Sequence, residues 1–274
     1  MTPRLFLGPA LLVNFAVFLA PMLNLAALSF REARAGGSIG DGLTLATWQG
    51  LLKDPYYLEL VTGSIGLAIP VTLATLLAAY PLALFVHRAA PRWRSLLVVA
   101  CISPLLVSAV VRTYGWIVIL GDNGLVAAVL RGLGMKPPRM VFNTTGVGIA
   151  LVEILMPTMI LCLLAGFGRL DAALEEAAAS LGAPSWRVFI RVVLPLSLPG
   201  VLLGCLLAFV LTVSSFITPK LLGGGRVILL ATEIYDQAIV TLNWPVAAAL
   251  SVLSLAVFGA ALMLYGRVLR RVEG

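Results

Sequence analysis

Charged side chains are scarce in this chain of 274 residues. Asp, Glu, Lys and Arg make up 11% of it, whereas 61% of its residues are hydrophobic and the mean hydropathy is +1.05. Soluble globular domains carry about 25% charged and about 45–50% apolar residues. The shortage excludes an ordinary soluble enzyme, a disordered protein and a basic nucleic-acid-binding arm. The composition instead predicts an all-α protein that spans a membrane several times.

Residues that carry catalytic or metal chemistry are also few. There is one histidine, His87, and none of the three lysines is followed by Ser or Thr. The sequence therefore has neither an H-E-x-x-H zinc motif nor a G-x-x-x-x-G-K-[ST] phosphate loop. The three cysteines lie apart in apolar runs, which favours packing over a disulfide or a zinc site. We predict no catalytic residue, no metal site and no cofactor, and we interpret His87 as a solvated loop residue.

Six apolar segments are long enough for a helix that crosses the hydrocarbon core, which takes about 20 residues. We expect these spans at 5–30, 61–86, 95–120, 148–167, 196–217 and 245–265. Several contain prolines, such as Pro104, and these predict kinks within spans because neighbouring helices can satisfy the freed backbone groups. Since six is an even number, both termini lie on the same side of the membrane.

The basic residues set the orientation. With both termini inside, ten of the nineteen basic residues face the cytoplasm, eight face outward, and Arg112 lies within a span. The inside loops are shorter, so their density of Lys and Arg near the span ends is higher. We therefore predict that both termini are cytoplasmic.

The longest cytoplasmic connection, residues 168–195, carries clear helix signals. Asp171 is a favourable N-cap, and five alanines follow it within nine residues. Gly182 is suited to end that helix in the left-handed conformation, and Pro184 or Ser185 begins a second short helix. The pattern predicts a helix–turn–helix on the cytoplasmic face.

The first of these two helices has the composition of one that lies in a groove of a partner protein. Leu174 is an apolar anchor, Ala177 and Ala178 allow close approach, and Glu175 and Glu176 lie at the rim. Composition alone leaves a plain solvated connector as the alternative.

The spacing of this loop resembles the EAA motif of ABC importer permeases, E-A-A-x3-G-x9-I-x-L-P. The matching residues are Glu176-Ala177-Ala178, Gly182 and Val192-x-Leu194-Pro195, with Val192 in place of Ile. The resemblance covers roughly residues 57–268. It implies the type I permease fold, in which this loop is the coupling helix that docks into a cleft of a separate ATPase subunit.

The same resemblance implies how the protein is organised and what it assembles with. Residues 1–56 form an extra helix and a periplasmic loop, 57–268 form a core of five spans, and 269–274 form a cytoplasmic tail. The expected partners in the bacterial inner membrane are two ABC ATPase subunits, which bind ATP and Mg, a second permease, expected to be a homologous different chain, and a periplasmic solute-binding protein. No nucleic acid is expected. The residues expected to contact the ATPase are Leu174, Glu175, Glu176, Ala177, Ala178 and Gly182.

A narrower resemblance concerns two further segments. V-R-T-Y-G-W at 111–116, followed by G-D-N-G-L at 121–125, is similar to permeases of the spermidine/putrescine type, as is S-F-I-T-P-K-L-L-G-G-G at 215–225. The resemblance implies a polyamine as the solute. Because the subgroup also moves other small solutes, an amino-acid derivative, ferric ion or thiamine stays open.

Two ionisable residues lie within spans, where such groups are costly and are functional candidates. Glu153 is either a counter-charge for a cationic solute or the ion-pair partner of Arg112 or of another subunit. Tyr114 and Trp116 lie beside Arg112, either on the solute pathway or as packing residues.

Two hypotheses of other classes remain at this point. A self-sufficient secondary transporter or channel would work without an ATPase, and a membrane scaffold would use the long loop only to dock a protein.

Overall fold

Helices dominate the computed structural model, which describes residues 4–34 and 37–273. A two-stranded antiparallel hairpin, β1 (Arg31–Ala33) and β2 (Ile39–Leu43), follows the first helix. The α-helices in chain order are α1 (Arg4–Leu28), α2 (Ala46–Lys53), α3 (Pro55–Arg88), α4 (Pro91–Ile102), α5 (Ala109–Leu120), α6 (Leu125–Gly132), α7 (Thr144–Gly166), α8 (Ala172–Ser180), α9 (Ser185–Val188), α10 (Leu194–Val213), α11 (Ile217–Leu222), α12 (Leu230–Tyr235) and α13 (Trp244–Glu273).

Six helical segments in the described part of the chain are long and apolar enough to cross a membrane, which is the predicted number. They are Leu11–Leu28, Pro55–Arg88, Ala109–Gly132, Thr144–Gly166, Ser185–Val213 and Trp244–Arg271. The second begins six residues before the predicted start. Its first turn is set by Asp54, whose Oδ1 accepts the N–H of Tyr56 at 2.9 Å, and by Pro55 at the first helical position.

The third span differs from the prediction, since residues 95–120 do not form one helix. After α4, Ser103–Leu106 forms a 3₁₀ turn and Val107 is extended, with ψ of 133°. Ser108 then caps α5, its Oγ accepting the N–H of Val110 at 3.3 Å. Pro104 lies within this turn and has no N–H to donate to the preceding carbonyls. The apolar stretch is therefore two helices, and the third candidate span begins at Ala109.

Other prolines do not interrupt their helices. α1 continues through Pro21, α3 through Pro70, α7 through Pro157 and α10 through Pro199. What distinguishes the break at Pro104 is the capping serine four residues later, which gives the chain a favourable new helix start.

Contacts divide the chain into two units. One comprises Met1–Thr62 and Leu230–Val257, and the other comprises Gly63–Leu229 and Phe258–Gly274. The sequence-based division at residues 56 and 268 stays a prediction. Its first and last segments include residues 1–3, 35–36 and 274, which lie outside the described residues.

The larger unit has an apolar core built on α3, α7 and α10. Leu151, Leu163 and Phe167 are fully buried in it. α7 and α10 cross at two glycines, where a Cβ on Gly200 would lie 2.7 Å from the carbonyl oxygen of Cys162 and 2.8 Å from the Cα of Gly166. Small residues at the crossing let the two backbones approach closely, as in other membrane helix pairs.

In the smaller unit, α2 packs beside the end of α1. Trp48 Nε1 donates to Ser29 Oγ at 3.2 Å, and the ring of Trp48 lies 6.0 Å from that of Phe30. In the same unit, α12 is tied to the start of α3 through Tyr56 and Glu233.

Candidate functional site

The loop after α7 folds as the predicted helix–turn–helix. Asp171 caps α8, its Oδ1 accepting the N–H of Ala173 at 3.0 Å. α8 ends at Ser180, and Gly182, two residues later, has a φ of +79° and donates its N–H to the carbonyl of Ala179 at 2.9 Å. Ser185 begins α9, and a π-helical turn joins α9 to α10. The start and end of α8 follow from capping residues that can be recognised in the sequence, Asp171 and Gly182.

One face of α8 is available to a partner. Leu174, Glu176 and Ala177 are exposed, and Ala178 is half-buried. Two large apolar side chains at the following turn, Leu181 and Trp186, are also exposed. Apolar side chains projecting from a short helix, with a carboxylate beside them, are typical of a surface that docks in a groove.

Glu175 points the other way, into its own chain. Its Oε2 accepts a hydrogen bond from the guanidinium of Arg88, at the end of α3, at 2.7 Å. The pair borders a cavity of about 370 Å³ whose lining includes Glu176, Ser185 and Phe189. α8 is therefore joined to the end of the second span by an ion pair, and residues of α8 and α9 line the cavity beside that pair.

Aromatic contacts hold the base of this loop. The Tyr80 ring meets the rings of Phe167 and Phe189 edge-on at 5.6 Å and 5.7 Å, and its hydroxyl lies 2.9 Å from Ser197 Oγ. His87 lies in the last turn of α3, half-buried, 5.5 Å from the Phe167 ring. The interpretation of His87 as a solvated loop residue was therefore wrong, because α3 extends through it and Phe167 covers it.

A second set of residues lies inside the spans and centres on Glu153. The guanidinium of Arg112 donates to Glu153 Oε1 at 2.7 Å and to its backbone carbonyl at 3.0 Å. Arg112 also reaches the carbonyl of Pro104 at 3.4 Å. The Arg112 side chain is 10% exposed and that of Glu153 is 38% exposed. This arrangement ties the interrupted third span to α7 and offsets the charge of Glu153.

Of the two aromatic candidates in this region, only Trp116 joins the network. Its Nε1 donates to Glu153 Oε2 at 3.1 Å, one helical turn beyond Arg112. Tyr114 is 55% exposed, because a position two residues along a helix faces away from Arg112. The structure therefore brings together Arg112, Trp116 and Glu153, and leaves Tyr114 apart.

The two segments that resemble spermidine/putrescine permeases meet in space. Thr113 Oγ1, in α5, lies 3.0 Å from Thr218 Oγ1, in α11, and both side chains are buried. α5 and α11 pack against each other along their length. The 111–116 and 215–225 segments thus form one structural unit, although a hundred residues separate them.

Glu233 is a residue that the sequence analysis did not select. It lies outside the predicted spans, where acidic residues are common, yet the structure buries it to 7% exposure beneath Tyr56. Its burial depends on a contact across 177 positions, and no local pattern signals it.

No group of three or more His, Cys, Asp or Glu residues within 4–34 and 37–273 is placed to hold a metal ion. The described sites thus offer a docking face and a partly buried ion pair.

Comparisons with known proteins agree with these features. Residues 96–273 match the family described as binding-protein-dependent transport system inner membrane component. The chain is 34% identical over 256 residues to the spermidine/putrescine transport system permease protein PotB of Escherichia coli K12, covering 93% of this chain and 92% of that one. The Haemophilus influenzae protein of the same name is 33% identical over 247 residues, covering 89% of this chain and 86% of its own.

Solved structures show the same fold at low identity. A bacterial ABC transporter involved in the import of the acidic polysaccharide alginate matches with a TM-score of 0.74 at 16% identity, covering 99% of this chain and 97% of that one. The MetNI methionine ABC transporter matches with a TM-score of 0.59 at 12% identity, covering 84% and 99%. The fold is that of type I ABC importer permeases. By its sequence and its six spans, the chain belongs to the family of binding-protein-dependent transport system inner membrane components, the permease subunits of ABC importers.

Proposed function

We propose that this permease subunit moves a polyamine, spermidine or putrescine, from the periplasm to the cytoplasm. The observation that carries the proposal is the identity of about one third, over nine tenths of the chain, to two permeases named for that solute pair. The contact between Thr113 and Thr218 supports it, because it joins the two segments that the chain shares with such permeases.

We propose that α8 is the coupling helix, with Leu174, Glu176, Ala177, Ala178 and Gly182 facing the ATPase. The exposure of Leu174, Glu176 and Ala177 and the left-handed turn at Gly182 support this assignment. Glu175 faces its own chain instead, and its ion pair with Arg88 holds α8 to the end of α3. In this assignment ATP and Mg are bound by the ATPase.

The assembly that fits this role contains two ATPase subunits, a second and homologous permease, and a periplasmic binding protein that delivers the solute. An ATPase in the cytoplasm places α8 on that side. The fifth span then crosses to the periplasm and the sixth returns, so the C-terminus is cytoplasmic. Because the number of spans is even, the N-terminus is cytoplasmic as well.

Transport then follows from a shift between two states. ATP-bound ATPase subunits hold the coupling helices more favourably in the outward-open state, and hydrolysis removes that preference. A ligand shifts such an equilibrium only by its differential affinity for the two states, so the link between α8 and the spans must be stiff. The Arg88–Glu175 pair and the rings around Tyr80 provide that link.

Within the spans, we propose that Arg112, Glu153 and Trp116 brace the third span against α7. A carboxylate that already accepts from a guanidinium and an indole has little charge left for a passing cation. Tyr114, exposed on the other side of α5, is the member of this group that remains available to the solute or to a partner.

The test is ATP hydrolysis by the complete complex in lipid, with its binding protein, against putrescine, spermidine, an amino-acid derivative, ferric ion and thiamine. Stimulation by a polyamine is the expected result. Stimulation by another solute alone would keep the importer and replace the polyamine. Activity that needs no ATPase would overturn the coupling role of α8.

A further inference from the structure

Glu233 is a carboxylate that the fold buries. It lies in the short helix α12, and only 7% of the residue is exposed. Burying a carboxylate is costly unless a cation or several hydrogen bonds compensate for the lost water. The charge of its hydrogen-bond partners therefore indicates whether the site can bind a cation.

Both partners of Glu233 are neutral. The Tyr56 hydroxyl donates to Oε2 at 2.7 Å, and Gln237 Nε2 donates to Oε1 at 2.7 Å. The ion pairs of Arg34, Arg88 and Arg112 are made with other carboxylates, those of Glu32, Glu175 and Glu153. An ionised carboxylate can accept about four hydrogen bonds, so two acceptor positions remain.

Gln237 is oriented so that its donor faces Glu233. The Thr241 hydroxyl lies 3.1 Å from Gln237 Oε1 and 3.0 Å from the Gln237 backbone carbonyl, and its contact with Oε1 agrees with an amide whose NH₂ group faces the carboxylate. The backbone carbonyl of Gln237 accepts the N–H of Asn243 at 2.7 Å. One hydrogen-bond donor to Glu233 is thus the side chain of Gln237, whose own backbone and side-chain oxygens accept further hydrogen bonds.

One tyrosine contacts the carboxylate, and a second tyrosine packs against the first. Tyr56 and Tyr57 meet edge-on at 5.2 Å, and Tyr56 is 40% exposed while its hydroxyl touches Glu233. Aromatic faces attract ammonium groups and cover the methylene stems attached to them. The partly exposed ring of Tyr56 therefore lies next to a buried carboxylate.

Glu153 provides the contrast. Arg112 lies 2.7 Å from Glu153, so the protein already supplies the cation there. At Glu233 the two hydrogen-bond donors are a phenol and an amide, neither of which carries a full positive charge.

We propose that Glu233, with Tyr56 and Gln237, is a binding site for an alkylammonium group of the transported solute. The ammonium N–H groups donate to the free acceptor positions of Glu233, and the Tyr56 and Tyr57 rings cover the adjoining methylenes. The site rests on the proposed polyamine function, and in the proposed orientation it lies on the periplasmic side, where solute enters from the binding protein.

The test measures amine delivered per ATP hydrolysed by the complete complex in proteoliposomes, with spermidine-loaded binding protein. We expect Glu233→Gln to lower this ratio about tenfold, the value of one charge-assisted hydrogen bond, while ATP hydrolysis continues. Tyr56→Phe removes one hydrogen bond to Glu233 but keeps the ring and the carboxylate, so we expect a smaller loss of the ratio, about twofold. Glu59→Gln, which removes an exposed carboxylate from the same helix as Tyr56, is the matched control and leaves the ratio unchanged.

An unchanged ratio in Glu233→Gln would overturn the site. Equal losses in Glu233→Gln and Tyr56→Phe would also overturn it, because they would show that the hydrogen bond only holds α12 to α3. If Glu233→Gln does not assemble, Glu233→Asp replaces it and is expected to keep more than half of the ratio, since the charge remains; loss of the ratio would contradict the proposal. A complex with no response to any polyamine would instead refute the proposed function.

Discussion

At the scale of single residues, Arg112 shows how a charge is accommodated within a span. Its guanidinium donates to two atoms of Glu153 and to the carbonyl of Pro104, where the helix ladder is interrupted. The pair therefore offsets the cost of a largely buried cation, and Arg112 adds a longer contact to the Pro104 carbonyl, which also accepts the N–H of Val107 at 3.1 Å. The sequence supplies the two residues and the possibility that they pair, but not the link to Pro104, because the interruption itself was not predicted.

Removing one member of this pair is expected to destabilise the protein by about 1–3 kcal/mol, because the other charge is left without its partner. Arg112→Gln and Glu153→Gln each lower the melting temperature of the purified complex, whereas the double variant loses less than the sum of the two. Tyr114→Phe, on the same helix but outside the network, is the control and leaves the melting temperature unchanged. Strict additivity of the two single changes would show that the pair contributes no coupling.

At the scale of helices, the crossing of α7 and α10 sets how closely the core packs. Because a Cβ on Gly200 would lie under 3 Å from the backbone of α7, Gly200→Ala requires the two helices to separate. We expect a loss of about 1–3 kcal/mol in the free energy of unfolding, as in other overpacked cores.

Gly148 on α7 is the matched position. A Cβ there meets Leu67 at 3.5 Å, an ordinary contact, so Gly148→Ala is expected to be neutral or slightly stabilising. Thermal unfolding of the two variants in the same detergent checks the prediction. Equal melting temperatures would mean that the helices do not cross as closely as described.

The turn that ends α8 carries the coupling prediction. Proline cannot adopt the φ of +79° at Gly182, so Gly182→Pro displaces α9 from the end of α8. Glu176→Lys reverses the charge on the exposed face. Both variants are expected to reduce uptake at least about tenfold while ATP hydrolysis continues and the spans still insert.

Gly134→Pro tests whether that loss is specific. Gly134 has a φ of +74° and its N–H closes the last turn of α6 at 3.0 Å, so the local strain is comparable. It lies far along the chain from α8, and uptake per ATP is expected to stay normal. Normal uptake in both Gly182→Pro and Glu176→Lys would contradict the coupling role of α8.

At the scale of the whole molecule, the predictable parts are those with local causes. Hydropathy predicts six spans because each must be about 20 residues long, and capping chemistry predicts α8 because Asp171 and Gly182 stand at its ends. The break after α4 was missed because Pro104 resembles the prolines that α1, α3, α7 and α10 tolerate. The burial of Glu233 was missed because it depends on Tyr56, far away in the chain.

The most direct test of the account is uptake of labelled spermidine into proteoliposomes that contain this chain with its second permease and ATPase subunits. We expect uptake that requires both enclosed ATP and external binding protein, and that falls at least about tenfold with Glu176→Lys while ATP hydrolysis continues. Spermidine uptake without ATP, or undiminished uptake with Glu176→Lys, would contradict it.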